Sequence, residues 1–249
     1  MLRLKKTTVL FGLLVLFHTI LGSVVYPQEE EKQRQEKLQE PRKLPLASLV
    51  HLKGIVEIKA DEKADWQEAL ASMELEPNNI LKTEIESYVM ITFFDGSKVR
   101  VEENTIVTIK KLHAALNEKE EFEQGNIGIS VILGEVTTKI EKIKMKERVF
   151  EIESPSSLIG VRGTFFTVKV DRAKKTHVMV LRGKVSVKNV QVKTLQKVKE
   201  VMVGNGQGIE VERGEFPSKM RKLSNQEISK LEKREDQMKR DEEQTVFKW

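Results

Sequence analysis

The chain has no cysteine. Disulfides, thiolate metal sites, thiol catalysis and an acylated lipobox cysteine are thereby excluded, and an exported domain would have to hold together by packing alone. Aromatic residues are sparse, at 6% with 2 Trp and 2 Tyr, which argues against a base-stacking surface. Charge is abundant but not one-sided: 43 Lys+Arg face 38 Asp+Glu, a net +5. So small an excess gives no reason to expect a nucleic-acid partner. Histidines number 4, and none has a second at metal-ligand spacing. His177 sits in an alternating segment, where a structural role is expected. No Gly-x-Ser-x-Gly elbow occurs. Gly204-Asn205-Gly206-Gln207-Gly208 has the look of a phosphate loop but lacks the following Lys-Ser/Thr and precedes a strand-like segment. It reads as a turn with two or three left-handed positions. The expectation is a protein without catalytic residues, cofactor or metal.

What is present begins with a positive N-terminus, Arg3, Lys5 and Lys6, followed by an apolar stretch from Thr7 to about Leu21 and small residues at Gly22 and Ser23. That is the layout of a secretory signal peptide. Val24 and Val25 lengthen the run toward the ~20 residues that span a bilayer, so an uncleaved membrane tether through residues 7–25 is the alternative. Either way residues 1–25 direct the rest out of the cytoplasm, to a periplasmic or secreted location or one anchored at the inner membrane. Residues 26–43 are nearly all polar and read as a solvated linker.

From residue 44 the periodicity is two. Val56 and Ile58, Val89-Ile91-Phe93, Val99 and Val101, Thr105-Val107-Ile109, Phe150-Ile152, Phe166-Val168-Val170, Val178-Val180, Val185-Val187 and Ile209-Val211 alternate with their neighbours. Half-buried strands produce this pattern. Turn signals at Asn78-Asn79, Asp95-Gly96, Gly134, Arg182-Gly183 and Gly204–Gly206 separate them. Many short strands at this spacing predict an all-β fold, an antiparallel sandwich or barrel. Trp66–Met73 is the helical-looking exception. At Phe93–Ser97, Asp-Gly between alternating strands predicts a type I′ hairpin. Residues 217–249 form a charged tail in which Ser224 and Glu227 make a capping box. Its apolar positions, Ile228, Leu231 and Met238, are too few for a coiled coil, so a solvated, partly frayed helix is expected, with Val246, Phe247 and Trp249 at its end docking onto the domain or, as the alternative, binding a partner.

Two clusters are candidate interaction sites. Lys142, Lys144, Lys146 and Arg148 would share one strand face; the alternatives are a solvated outer face and a patch for anionic envelope polymers or lipid headgroups. The second is Gly160-Val161-Arg162-Gly163-Thr164. Its glycines suggest a tight backbone passage into the next strand. Arg162 would then be fixed by carbonyls or by Glu153 or Asp95, or would serve as an anion site.

Several segments resemble the FecR domain family. Gly54-Ile-Val56-Glu-Ile58 with Trp66, Ile80 and Thr83 resembles its opening, and Phe93-Phe94-Asp95-Gly96-Ser97-Lys-Val99-Arg100-Val101 its central hairpin. The most specific piece is Phe150-Glu-Ile-Glu-Ser154-Pro155-Ser-Ser157-Leu-Ile-Gly160-Val161-Arg162-Gly163-Thr164-Phe165-Phe166. Ser154 stands for the usual Thr, Ser157 for Ala, and Asn78-Asn79 for Gly-Asp. The resemblance covers about residues 46–215. It implies a jelly-roll-like antiparallel β-sandwich over residues 44–216, outside the cytoplasm, acting in protein interaction or sensing in the cell envelope. Its partner would be an envelope protein or an anionic envelope polymer. The family's sigma-regulating members carry a cytoplasmic segment before their membrane helix; the few residues ahead of Thr7 offer no counterpart, so sigma-factor regulation through a membrane partner is the second expectation.

Overall fold

The computed structural model describes residues 45–119, 121–141, 147–190 and 199–246. The expected signal or anchor segment, the linker, Lys142, Lys144, Lys146, Phe247 and Trp249 lie outside the described residues. Strands dominate: β1 (Ala47–Lys53), β2 (Val56–Lys59), β3 (Gln67–Glu68), β4 (Ile80–Thr83), β5 (Tyr88–Phe93), β6 (Lys98–Val101), β7 (Thr105–Leu116), β8 (Phe122–Lys139), β9 (Glu147–Glu153), β10 (Ser157–Val161), β11 (Phe165–Val170), β12 (Thr176–Arg182), β13 (Val185–Asn189), β14 (Glu200–Val203), β15 (Gln207–Val211) and β16 (Arg221–Lys222). One helix follows, α1 (Asn225–Val246). Among the described residues no helix is long and apolar enough to cross a membrane.

The strands form two sheets that share β8. Sheet A runs β1-β5-β6-β8-β11-β12-β15-β16. Sheet B runs β3-β2-β4-β7-β8-β9-β10-β13-β14. Up to Leu133, β8 pairs with β7; from Gly134 it pairs with β11. The crossing is at Gly134, with φ +94°, where a Cβ would stand 2.2 Å from the Thr105 hydroxyl. Only glycine tolerates both the backbone angle and the contact. The sequence placed a turn at Gly134; instead it bends one long strand. The pairings are antiparallel except β8 with β9, which is parallel, so the sheets are not purely antiparallel as expected.

Alternation puts one face of each sheet inward. Val89, Ile91, Phe93, Val99, Val136 and Phe166 of sheet A and Leu81, Val107, Ile129, Phe150, Ile159 and Val187 of sheet B belong to one buried apolar cluster. Phe93 and Phe150 meet edge to face across it, ring centres 5.8 Å apart, the geometry that aromatic quadrupoles favour.

Two local expectations are corrected. Trp66–Met73 is not helical. Its backbone bonds the edges of β1 and β2, with Ala69 N donating to Val56 O and Leu49 N to Met73 O. Tertiary hydrogen bonding thus overrides helix propensity there. At the Asp95-Gly96 hairpin, Gly96 N donates to Phe93 O and Phe93 N to Ser97 O. Gly96 has positive φ and Asp95 does not. This is a three-residue loop closed by a left-handed glycine, not a type I′ turn. The glycine-rich turn before β15 likewise holds one left-handed position, Gly206, and not two or three. Asn78, by contrast, adopts the left-handed conformation (φ 76°), which asparagine tolerates better than most residues.

Candidate functional site

Gly160 and Val161 end β10, paired with Ser186 and Val185 of β13. The chain then turns through Arg162 and Gly163 and buries Thr164 ahead of β11. The Thr164 hydroxyl donates to Lys184 O at 3.1 Å, and its carbonyl accepts from Ile140 N at 2.9 Å. Gly163 has φ +64°; Gly183 has φ +92°, and a Cβ on it would stand 2.8 Å from Gly163 O. The close backbone approach at this turn is between Gly163 and Gly183. Gly160 has no positive φ, and a Cβ there would meet nothing closer than Ser186 at 3.9 Å.

Arg162 itself is exposed. Of the acids expected to fix it, Glu153 is exposed and Asp95 is held by another arginine. That arginine is Arg148, whose Nε donates to Asp95 Oδ2 at 2.8 Å and whose Nη1 donates to Glu141 O at 2.6 Å. Its Nη2 reaches the Asp95 carboxylate and the Ser97 hydroxyl. The Asp95 side chain is fully buried and also accepts from Ser97 N at 2.9 Å. Arg148 thus ties β9 to the β5–β6 hairpin. Arg148 itself does not stand on a solvated face, because its planar donor fork is used up on a buried carboxylate and a carbonyl.

Among the described residues, an extended collection of interacting charged side chains was not foreseen. It lies on the outer face of sheet A, beneath α1. Outward-pointing residues there include Met90, Arg100, Glu135, Thr137 and Phe165. Met238 of α1 is fully buried against Met90 and Phe165, with Val50 and Leu181 packed alongside. Around this small apolar centre the contacts are ionic. Arg100 donates to Asp241 at 2.9 Å and lies 3.3 Å from Glu102. Its guanidinium stacks 3.5 Å from the centre of the Tyr88 ring. His51 stacks on Tyr88 and approaches Asp241 at 3.5 Å. Burial first, and then the Asp241 carboxylate, hold the Tyr88 phenol above its usual pKa.

Along the helix, Arg234 pairs with Glu135 and donates to the Thr137 hydroxyl at 3.1 Å. Lys230 lies 3.3 Å from Glu135, and Arg182 pairs with Glu235. Lys139 and Lys98 approach Glu242 at 3.1 and 3.4 Å. Burial opposes the charge of Lys139, but Glu242 and then Glu141 outweigh it and raise its pKa.

The tail is therefore a docked helix, not a solvated one. Its inward positions, Leu231, Arg234, Glu235, Met238, Asp241 and Glu242, follow helical spacing. Hydropathy misses the stripe because four of its six members are charged. The capping box forms as expected: Glu227 N donates to Ser224 Oγ at 3.3 Å and Ser224 N to Glu227 at 2.8 Å. Arg221 grips the same carboxylate at 2.7 and 2.9 Å. With these partners, Glu227 is lowered to about 2.

His177 lies between Asp171 at 3.3 Å and Glu210 at 3.4 Å. Among the described residues no group of three His, Asp or Glu could hold a metal ion.

Residues 79–186 match the family described as FecR protein. No curated protein matches the chain. Two crystal structures of a candidate anti-sigma factor from Parabacteroides distasonis ATCC 8503 are similar at 15% identity, with TM-scores of 0.43 and 0.42. Each match covers 60% of this chain and 62% of the solved one, so the chain spans less than two thirds of those structures.

Proposed function

With residues 79–186 matching the FecR protein family, we propose that this chain is an exported, non-catalytic interaction or sensing module of the bacterial cell envelope. The family match carries the reading. The pairing of charged groups supports it: Asp95 with Arg148, and Glu102, Glu135 and Asp241 with Arg100 and Arg234, are spent on one another. Such groups organise a scaffold; none is poised as a general base beside a nucleophile. The charged-then-apolar N-terminus supports export. In this reading Gly160–Thr164 presents Arg162 to solvent on a backbone fixed by Thr164, which suits contact with a partner.

The test has two parts. A reporter fused after Arg42 is active only outside the cytoplasm, and deletion of residues 1–23 retains the protein inside; export of the deleted form counts against the proposal. In-cell crosslinking through a photoreactive residue at position 162 then captures one envelope protein reproducibly. Capture of a sigma-factor system through a membrane partner would assign the chain to transmembrane signalling instead, and crosslinking to polysaccharide alone would make the partner an anionic polymer.

A further inference from the structure

The outer face of sheet A is built to hold a helix, and what holds α1 there is mostly charge. An ordinary surface helix buries three to four apolar residues every two turns. Among its described side chains, α1 offers Leu231 and Met238 as its fully buried apolar contacts. The remaining inward positions are Arg234, Glu235, Asp241 and Glu242, each paired with a residue of the sheet. Ion pairs removed from water fix register and direction but return little net stability, because desolvation offsets their attraction. The helix is thus seated specifically and weakly.

The segment before it is held at separate points. Between β15 and α1 the chain is mostly exposed, and its anchors are β16, the buried Pro217 and Leu223, the bonds that Ser218 and Glu210 exchange, and the bond from Leu223 N to Gly206 O. The capping box lies on the helix side of this connection, and Arg221 of β16 ties its Glu227 to the edge of sheet A. The box keeps the first turn wound whether or not α1 is docked.

Beneath the helix lies a surface that a sheet exposed to water would not carry. Met90 and Phe165 are buried there, with Val50 and Leu181 beside them. Uncovered, they form an apolar patch ringed by Lys98, Arg100, Lys139 and Arg182 on one account and by Glu102 and Glu135 on the other. Apolar patches rimmed by polar groups mark interaction sites, and a methionine at the centre adapts to differently shaped occupants.

We propose that α1 is a displaceable strap over a helix-docking face on sheet A, and that the face receives an amphipathic helix from a protein partner. The occupant is specified by what α1 itself presents. It carries apolar residues at positions i and i+7 to fill the place of Leu231 and Met238. An arginine at i+3 meets Glu135, and acids at i+4, i+10 and i+11 meet Arg182, Arg100 and Lys139. While α1 is seated, the partner's apparent affinity is reduced by the fraction of molecules in which the face is covered. The inference goes beyond the envelope role and stands without it, because its test needs no envelope component.

The probe is a fluorescent peptide with the sequence of residues 225–246, titrated by anisotropy into the full-length chain. The wild type is compared with Glu235→Lys/Asp241→Lys, which turns two inward acids against Arg182 and Arg100. Hydrogen exchange on both proteins reports whether α1 has left while β8 and β11 stay protected. The peptide binds the double variant at least about tenfold more tightly than the wild type, and adding Arg100→Glu abolishes the gain. Release of α1 without a gain in peptide binding overturns the proposal. So does equal binding to both proteins, since α1 then does not compete for the face. Retained protection of α1 in the double variant, or loss of protection in β8, shows that the helix is an integral layer of the fold and overturns it too.

Discussion

The interior between the two sheets and the outer face of sheet A both exclude water, with opposite chemistry. Inside, Val, Ile, Leu and Phe alternate inward from both sheets, and one apolar cluster runs from Ala47 to Val211. Outside, beneath α1, a patch centred on Met90, Phe165 and Met238 is framed by arginines and carboxylates. Apolar burial scales with area and tolerates small shifts. Ionic burial depends on each partner being in place, and it penalises an unpaired survivor more than it rewards the pair. The first arrangement makes a domain stable. The second makes one helix fit one way without fastening it.

The comparison breaks most directly at Phe150, which is fully buried and touches Phe93. Phe150→Ala should lower unfolding stability by about 3–5 kcal/mol, read from urea denaturation, with β-sheet and α1 signals lost together. A loss below ~1 kcal/mol would mean that the interior is not the cooperative core.

The next largest effect is expected at the Arg148–Asp95 pair, an ionic contact placed within the sandwich. Arg148→Met leaves the Asp95 carboxylate buried without its cation and should cost about 3 kcal/mol. Adding Asp95→Asn should recover part of that loss, because the uncompensated charge is gone. A double-mutant cycle measures this coupling; simple additivity would show that Arg148 acts through packing alone.

Met238→Ala belongs to the other side of the comparison. It removes the centre of the helix contact and should cost about 2 kcal/mol, the low end for such truncations. The loss should be local: hydrogen exchange rises across α1 and stays unchanged in β8. Exchange that rises equally in both would erase the distinction between core and strap.

That distinction also explains what was legible in the sequence. The strands around Val89–Phe93, Val99–Val101, Phe166–Val170 and Val185–Val187 were readable because period-two burial is written in hydropathy. The capping box at Ser224 and Glu227 was readable because it is local. Docking of α1 was not, since four of its inward residues are charged and their partners lie far away in sequence, as Arg100 does from Asp241. The same blindness misassigned the arginines. Arg148 resembled its lysine neighbours, and Arg162 stood in the most specific motif. Which one meets Asp95 depends on how β9 is laid against the β5–β6 hairpin, a long-range pairing that spacing does not encode. Gly183 was read as a turn residue, and its close approach to Gly163 appears only when β10 and β13 are paired.

Acid should undo the start of α1 before the core. Glu227 is held at about 2, by Arg221 first, against an ordinary glutamate value of 4.5. Its folded value is depressed, so the stability it contributes is fully present above about 4.5 and is lost as pH falls through about 2. Exchange of the first helical turn should therefore rise across that window. Glu227→Gln should raise it already at pH 6 and flatten the pH dependence. Ser224→Ala, which removes the other half of the box, should cost about 1 kcal/mol. A first turn whose exchange is indifferent to both substitutions would leave the helix start to its packing.

The smallest effect is expected at the residue the sequence marked most strongly. Arg162 is exposed and neither of its expected acids holds it. Arg162→Ala removes no buried partner and leaves no acceptor unsatisfied, so unfolding stability should move by less than about 0.5 kcal/mol. Gly183→Ala nearby is the control. It places a methyl 2.8 Å from Gly163 O at φ +92° and should destabilise clearly, because both the contact and the backbone angle resist a side chain. The pair separates two meanings of the Gly160–Thr164 motif. If the glycine substitution melts the domain and the arginine substitution does not, the motif is a rigid backbone turn that displays Arg162. Loss of photocrosslinked partner in Arg162→Ala, probed through a neighbouring position, then identifies the guanidinium as a contact. A drop in stability of 1 kcal/mol or more for Arg162→Ala would instead make it a structural residue and remove the motif from the interaction surface.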